Sequence, residues 1–276
     1  MSALCVLLLM QVAPVPQALS VMTFNVRYDN PDDGPSAWPH RSVRVAAVMK
    51  QASVVGVQEA LHHQVMELQG SLEDFAWIGI GRRDGESAGE YAPVFFRVGE
   101  LDLLESGTFW LSETPDIPGS RSWDAAVTRI ATWGQFIWRA SGDTLWVFNT
   151  HFDHRGQQAR QESARLLMQR IAAIADGGRV IVTGDFNAAP ENPVYVTMTS
   201  GVLRDAYAAS QEAPRGPEGT FSGFIADEER FGRRIDYVFA DSTFSVLSYE
   251  AVVDVEDGRY VSDHLPVVAR LAWDSR

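Results

Sequence analysis

The sequence holds one cysteine, Cys5, in 276 residues, which excludes an intramolecular disulfide framework and a cysteine-rich zinc site. It also lacks an excess of positive charge. Lys and Arg number 23 against 36 Asp and Glu, a formal net charge of −13. A chain without an overall basic footprint is a poor partner for duplex DNA, whose binding draws on cations that neutralise phosphates, although a local basic groove stays open. No apolar run reaches the roughly 18 residues of a membrane-spanning helix, so no transmembrane span is expected. No repeat with a period of about 20 to 50 residues is visible, which argues against a solenoid. What is present is 46% hydrophobic, 11% aromatic and 21% charged, with 22 Gly and 13 Pro, the make-up of a globular chain of a size that suits one layered α/β domain.

Residues 1–18 read as a signal or other non-core segment, and 19–276 as a single domain. Residues 4–12 are mostly apolar and are followed by Ala13, Pro14 and Pro16, like the hydrophobic region and cleavage zone of a secretory signal. The positively charged leader is missing; a misplaced start and a plain N-terminal strand are the alternatives. Cleavage would remove Cys5, which suits an exported, periplasmic or extracellular protein, with a cytoplasmic one as the alternative.

Beyond this segment, strand-like runs cover 19–26, 53–58, 76–80, 93–97, 100–110, 129–139, 144–150, 179–183, 235–240, 244–253 and 265–271. Helical patterns cover 41–51, 62–72 and 157–175, the last carrying Leu167, Ile171 and Ile174 at helical spacing. The runs 93–97 and 100–110 read as a pair of strands around a Gly turn. Polar, Gly- and Pro-rich loops at 29–40, 112–128 and 210–234 are long enough to shape a binding site. This alternation suggests two packed sheets flanked by helices.

The informative positions are those where polar side chains interrupt apolar runs. Asn25 follows VMTF, Glu59 follows VVGVQ, His151 follows LWVFNT, and Asp185 and Asn187 follow VIVTG. Asp236 sits in RIDYVF, and Asp263 and His264 precede LPVV. Taken singly, each is as readily a turn former, a cap, or one half of an ion pair. Six such strand ends together point to a site, because strand ends aim side chains at one place. Clustered acids usually hold a cation, and carboxylates with amides suit Mg²⁺, Mn²⁺ or Ca²⁺. A divalent ion on Glu59 would polarise a phosphoryl oxygen. Asp185 would orient and deprotonate a water, Asn187 would donate to a non-bridging oxygen, and His264, held by a carboxylate, would donate as an imidazolium. These parts suit hydrolysis of a phosphate ester by in-line attack.

The order and wording of TFNVR, VGVQEA, NTHFDHRG, TGDFNAAP, RIDYVF and SDHLPV resemble the endonuclease/exonuclease/phosphatase superfamily of metal-dependent hydrolases, over about residues 19–272. The resemblance implies an α/β fold, a four-layer sandwich of two packed mixed β-sheets flanked by helices, with Mg²⁺ or Mn²⁺ as cofactor. It implies Asn25, Glu59 and Asp263 at the metal, Asp185 as the water-activating group with Asn187 beside it, His151 and His264 on the phosphate, and Asp236 orienting His264. One position departs from the pattern of the apurinic-site nucleases: Arg27 stands where they usually carry Asp, which weighs against a second metal and against abasic DNA.

Several residues were weighed as substrate contacts. Trp110 and Trp123 flank the loop LSETPDIPGSRS and could stack on a ring, although most Trp are core. Asp153, His154 and Arg155 could meet a leaving group, or simply cap a helix. The expected substrate is a small phosphorylated metabolite, a phosphosugar or a lipid head group, with no protein partner inferred. A nuclease or deadenylase-like activity on single strands and a non-catalytic phosphate-binding module are the alternatives.

Overall fold

In the computed structural model residues 18–227 and 231–273 are described. The apolar segment 1–17, with Cys5, lies outside the described residues, as does 228–230 of the long 210–234 loop. Along the chain run β1 (Leu19–Asn25), α1 (Ser42–Met49), β2 (Val54–Gln58), α2 (His62–Ser71), β3 (Phe75–Ile78), β4 (Val94–Arg97), β5 (Leu101–Trp110), β6 (Ile130–Trp138), β7 (Asp143–His151), α3 (Gln157–Ala175) and β8 (Arg179–Asp185). Then follow α4 (Pro193–Thr199), β9 (Leu203–Asp205), α5 (Ala206–Ala209), β10 (Asp236–Asp241), β11 (Ser245–Ala251), β12 (Val255–Glu256), β13 (Arg259–Tyr260) and β14 (Val267–Ala272).

Two six-stranded sheets result, in the orders β11-β14-β1-β2-β4-β3 and β5-β6-β7-β8-β10-β9. Each is mixed for the same reason. One parallel pair, β1 with β2 or β7 with β8, lies among antiparallel neighbours. Parallel neighbours need a crossover, and α1 and α3 supply it. Both parallel pairs therefore end on the same side as their strand C-termini, and it is there that Asn25, His151 and Asp185 close their strands, with Glu59 just beyond β2.

Side chains alternate along a strand, so every second residue faces the opposite sheet. Along β1 that inward row is Leu19, Val21, Thr23, Asn25; along β2, Val54, Gly56, Gln58; along β7, Leu145, Val147, Asn149, His151; along β8, Ile181, Thr183, Asp185. The lower members, Leu19, Val21, Val54, Leu145, Val147 and Ile181, join Phe96, Phe136 and Val238 in the core between the sheets. The middle members are polar or small, and the upper ones carry the functional groups. The opposite rows make the outer layers. Met22, Phe24, Val55 and Val57 pack on Val45, Val48, Met49 and Leu68 of α1 and α2. Phe148, Val180 and Val182 pack on Leu167, Ile171, Val194 and Met198 of α3 and α4. Helix, sheet, sheet, helix: this is the four-layer sandwich that the sequence led us to expect.

The polar middle of the sandwich is hydrogen-bonded across the two sheets, although Gln58 Oε1 has no partner. Gln58 Nε2 donates to Thr23 Oγ1 at 3.1 Å and to Asn149 Oδ1 at 2.7 Å. Thr183 Oγ1 donates to the same Asn149 Oδ1 at 3.0 Å, and Asn149 Nδ2 donates to the carbonyls of Val57 and Pro93. The sheets approach so closely here that a Cβ on Gly56 would lie 2.0 Å from Thr183 Oγ1 and 2.5 Å from Asn149 Oδ1.

One expected pairing is corrected. The runs at 93–97 and 100–110 are not partners: β4 pairs with β2 and β3, while β5 pairs with β6 in the other sheet. The turn at Gly99 carries the chain between layers, and Phe96 meets Phe136 across the interface at a ring separation of 4.9 Å. The short elements α4, β9 and α5 and the β12–β13 hairpin have no counterpart in the periodicity reading. Among the described residues no helix is long and apolar enough to cross a membrane.

Candidate active site

Asn25 is buried at the top of β1, and its amide sits between two acids. Nδ2 donates to Glu59 Oε1 and to Asp185 Oδ2, both at 3.0 Å, while Oδ1 accepts from the backbone N–H of Arg27 at 3.0 Å. Glu59 also accepts from the backbone N–H of Tyr28 at 3.2 Å. Asp185 accepts from the N–H of Asn187 at 2.9 Å. The register of β8 fixes the rest: Asp185 lies opposite His151 on one side and opposite Asp236 on the other. Arg27, Glu59 and Asn187 all hold left-handed backbone (φ 57°, 68° and 46°), a conformation costly for residues with a Cβ and concentrated at functional sites.

Two histidines complete the cluster in opposite charge states. Burial works against the His264 imidazolium, but Asp236 and Asp185 outweigh it and raise its pKa well above the ordinary value. His264 Nδ1 lies 2.9 Å from Asp236 Oδ2, whose same oxygen accepts from Thr220 Oγ1 at 2.6 Å, and Phe221 packs edge-on against the imidazole. His264 Nε2 points to Asp185 Oδ2 at 3.8 Å. His151 is pushed well down, first by burial and then by Arg129 and Arg82, so it is neutral. Its Nε2 is 3.1 Å from Asn187 Nδ2 and 3.4 Å from Asp185 Oδ2. Burial and the neighbouring Asp236 carboxylate push Asp185 up to about 7.

These groups open into one cavity of about 510 Å³ lined by Glu59, His151, Asp185, Asn187, Asp263 and His264, with Arg27, Tyr28, Arg82, Glu90, Val127, Arg129, His154, Phe221 and Ile235 around them. Glu59, His151 and Asp185 each offer a ligand atom within 4.8 Å of the others, as do Asp185, Asp236 and His264. Because His264 is protonated and already bonded to Asp236, the first trio is the group with the chemistry for a cation. A buried carboxylate, Asp185, and a half-buried one, Glu59, with one amide between them fit a divalent ion, which would offset their repulsion. Asp263 is in neither trio; its Oδ2 lies 3.8 Å from Arg27 Nη1 and its Oδ1 accepts from Ser262 Oγ at 3.3 Å. Asn25 turns its N–H₂ toward the acids, so it spaces them while its carbonyl oxygen is spent on Arg27.

Of the residues weighed as substrate contacts, only His154 lines the cavity. Asp153 is 1% exposed, and its carboxylate accepts from four backbone N–H groups, those of Ala126, Val127, Arg155 and Gly156. It is a loop anchor. Arg155 is exposed and is not among the residues that line the cavity. Trp110 is buried, with its indole N–H donating to the Arg82 carbonyl at 2.7 Å, and Trp123 lines a separate surface depression with Glu162 and Arg165. Sequence reasoning missed Arg82, Glu90 and Arg129. They sit in loops or at a strand entrance, where no periodicity marks them.

Comparison with known proteins shows the family and the fold. The profile of the Endonuclease/Exonuclease/phosphatase family matches residues 22–264. An endonuclease/exonuclease/phosphatase from Bacteroides vulgatus is 39% identical, with a TM-score of 0.88 over 94% of this chain and 100% of that one. The mannosyl-6-phosphatase Bt3783 of Bacteroides thetaiotaomicron is 35% identical, with a TM-score of 0.87 over 92% of this chain and 100% of that one. Among curated proteins, an uncharacterised protein of Acanthamoeba polyphaga mimivirus is 29% identical over 58% of this chain and 62% of its own length. The chain thus spans less than two thirds of the curated relatives it matches first.

Proposed function

The chain belongs to the endonuclease/exonuclease/phosphatase family, and on that premise we propose that it is a divalent-metal-dependent phosphomonoesterase acting on a small sugar phosphate. One observation carries the proposal: Glu59, His151, Asp185 and His264 share a single cavity of about 510 Å³. A 35% identical relative is a mannosyl-6-phosphatase, which supports a phosphosugar over a polymer, as does the net charge of −13.

Glu59, with Asp185 and His151 close by, would hold Mg²⁺ or Mn²⁺, which when bound supplies charge neutralisation at the phosphoryl oxygens. Arg27, a fixed cation near Asp263, supports one metal ion over two. Asp185, steadied by Asn25 and by the N–H of Asn187, takes the proton from the attacking water, and as the P–O bond to the alcohol breaks the departing oxygen takes a proton from water in the open cavity. His264 donates from Nε2 to a phosphoryl oxygen, and Asp236 keeps the opposite ring nitrogen protonated and the ring fixed. Asn187 and the neutral His151 complete the polar wall around the phosphate. Each of these groups is held before substrate arrives, so little reorganisation is left for the reaction.

Phosphate release from mannose 6-phosphate and from p-nitrophenyl phosphate, with Mg²⁺ or Mn²⁺ and with EDTA, tests this reading. Turnover that needs the metal is expected; turnover at the same rate in EDTA contradicts it.

A further inference from the structure

The cavity that holds the acidic cluster is also lined by Arg82, Glu90 and Arg129, and no step described so far uses them. Arg82 grips Glu90 with two hydrogen bonds, Nη1 to Oε2 at 2.5 Å and Nη2 to Oε1 at 2.7 Å. Arg129 is treated differently. It is 6% exposed, and its Nη1 stops 3.8 Å short of Glu90 Oε2. Both its Nε and its Nη1 are buried without a hydrogen-bond partner. Only Nη2 has a neighbour, His154 Nδ1 at 3.3 Å. A guanidinium held this deep with two idle donors is uncommon, since buried polar groups are normally paired.

The position of Arg129 is fixed from behind. The loop that leads into it is tied down by Asp153, which accepts from the N–H groups of Ala126 and Val127 at 2.9 and 3.1 Å. The Trp110 indole does the same for the carbonyl of Arg82. The pair of arginines and the glutamate between them are therefore a built wall, and not surface side chains that happen to meet.

We infer that Arg129 and Glu90 form a polyol subsite, which binds hydroxyl groups of the alcohol that leaves when the phosphate is cleaved. This rests on the phosphomonoesterase reading and adds to it the residues that select the leaving group. The gap of 3.8 Å is too long for a direct bond, yet an oxygen about 2.8 Å from each atom bridges it. That oxygen must accept from Arg129 and donate to Glu90. A hydroxyl does both, whereas an ionised phosphate or carboxylate oxygen accepts only and has no proton to donate to Glu90. Val127 beside the pair supplies an apolar surface for the C–H face of a sugar ring.

The test compares wild type with Arg129→Met, Arg129→Lys and Glu90→Gln on two substrates and one ligand. The ratio of kcat/KM for mannose 6-phosphate to that for p-nitrophenyl phosphate, which has no hydroxyl to offer, reads the subsite. It falls by at least about tenfold in each variant, because one charge-assisted hydrogen bond is worth about that factor. Arg129→Lys keeps the charge, so a folding defect in Arg129→Met leaves a readable variant. Saturation-transfer NMR with free mannose reads the subsite without catalysis: wild type transfers saturation to the sugar and the variants do not. Equal losses on both substrates, an unchanged ratio, or mannose binding that survives in the variants overturns the subsite. If wild type cleaves neither ester but binds mannose through Arg129, the phosphatase reading fails and the subsite stands.

Discussion

His264 Nδ1 and Asp236 Oδ2 stand 2.9 Å apart, both residues buried and Asp236 0% exposed. The pair spans 28 residues of sequence and two different strand surroundings: Asp236 opens β10, and His264 lies in the loop before β14. Among the described residues His264 is the cation paired with Asp236, whose other oxygen has no hydrogen-bond partner, so the imidazolium is its counter-charge. The other histidine of the site, His151, faces Arg129 and Arg82 and is neutral for that reason as well as by burial. One cavity therefore holds a proton donor and an uncharged imidazole side by side.

From this follows a pH dependence with a definite sign. His264 has its pKa raised in the folded protein, so the protonated form persists above the ordinary histidine range and is lost as pH rises through the folded value. Asp236→Asn keeps a hydrogen-bond acceptor but removes the charge, which lowers that pKa. The alkaline limb of the kcat profile is expected to move to lower pH, and kcat at pH 8 to fall by about 10- to 100-fold. Groups that face His264 and enter the same profile are Asp185 and Asp263. An alkaline limb that stays in place in Asp236→Asn removes the charge argument.

Asp153 carries a stability prediction. Burial alone would raise its carboxyl, but four backbone N–H groups hold it down at about 2. A depressed carboxyl stabilises the fold at pH above its unfolded value and loses that contribution as pH falls through the folded one. Asp153→Asn is expected to cost about 1–3 kcal/mol at pH 7, since it leaves charged-acceptor bonds unmade. The difference from wild type should shrink as pH drops from about 4 toward 2. Urea denaturation of both proteins at pH 7 and pH 3 checks this; a gap that is constant with pH contradicts the ionised anchor.

Gly56 is where the two sheets come closest, and Gly56→Ala has no free volume to enter. Thr183 and Asn149 must move, and both belong to the network beneath Glu59 and His151. A loss of about 1–3 kcal/mol is expected from overpacking, together with a fall in kcat, because Gln58 precedes Glu59 directly. Thermal unfolding with kcat measured well below the transition separates the two effects. A variant as stable and active as wild type would contradict this close approach of the two sheets.

Much of the architecture was legible in the chain. Val54–Gln58 and Arg179–Asp185 are short apolar runs ended by polar residues, and α3 shows its buried face at helical spacing. The side chains of the candidate site were legible as a cluster for a related reason: inward rows such as Leu145, Val147, Asn149, His151 change from apolar to polar along the strand, and the change marks where the sandwich opens. Three-residue β9 and four-residue α5 carry too few positions for any period. The crossing at Gly99 was hidden because a turn between two strands looks the same whether they pair or part. Arg82, Glu90 and Arg129 are gathered only by folding, and their spacing in sequence says nothing of it. Asp153 and Trp110 misled because a motif's polar or aromatic side chain can serve the backbone behind a cavity as well as a ligand inside it.

The most direct test of the account is phosphate release from mannose 6-phosphate by wild type and Asp185→Asn, each with Mn²⁺ and with EDTA. Wild type with Mn²⁺ is expected to turn over, EDTA to abolish it, and Asp185→Asn to lose at least about a hundredfold in kcat with a melting temperature no lower than wild type, since the buried carboxylate beside Asp236 is relieved. Wild-type turnover in EDTA, or full kcat in a folded Asp185→Asn, would contradict the account.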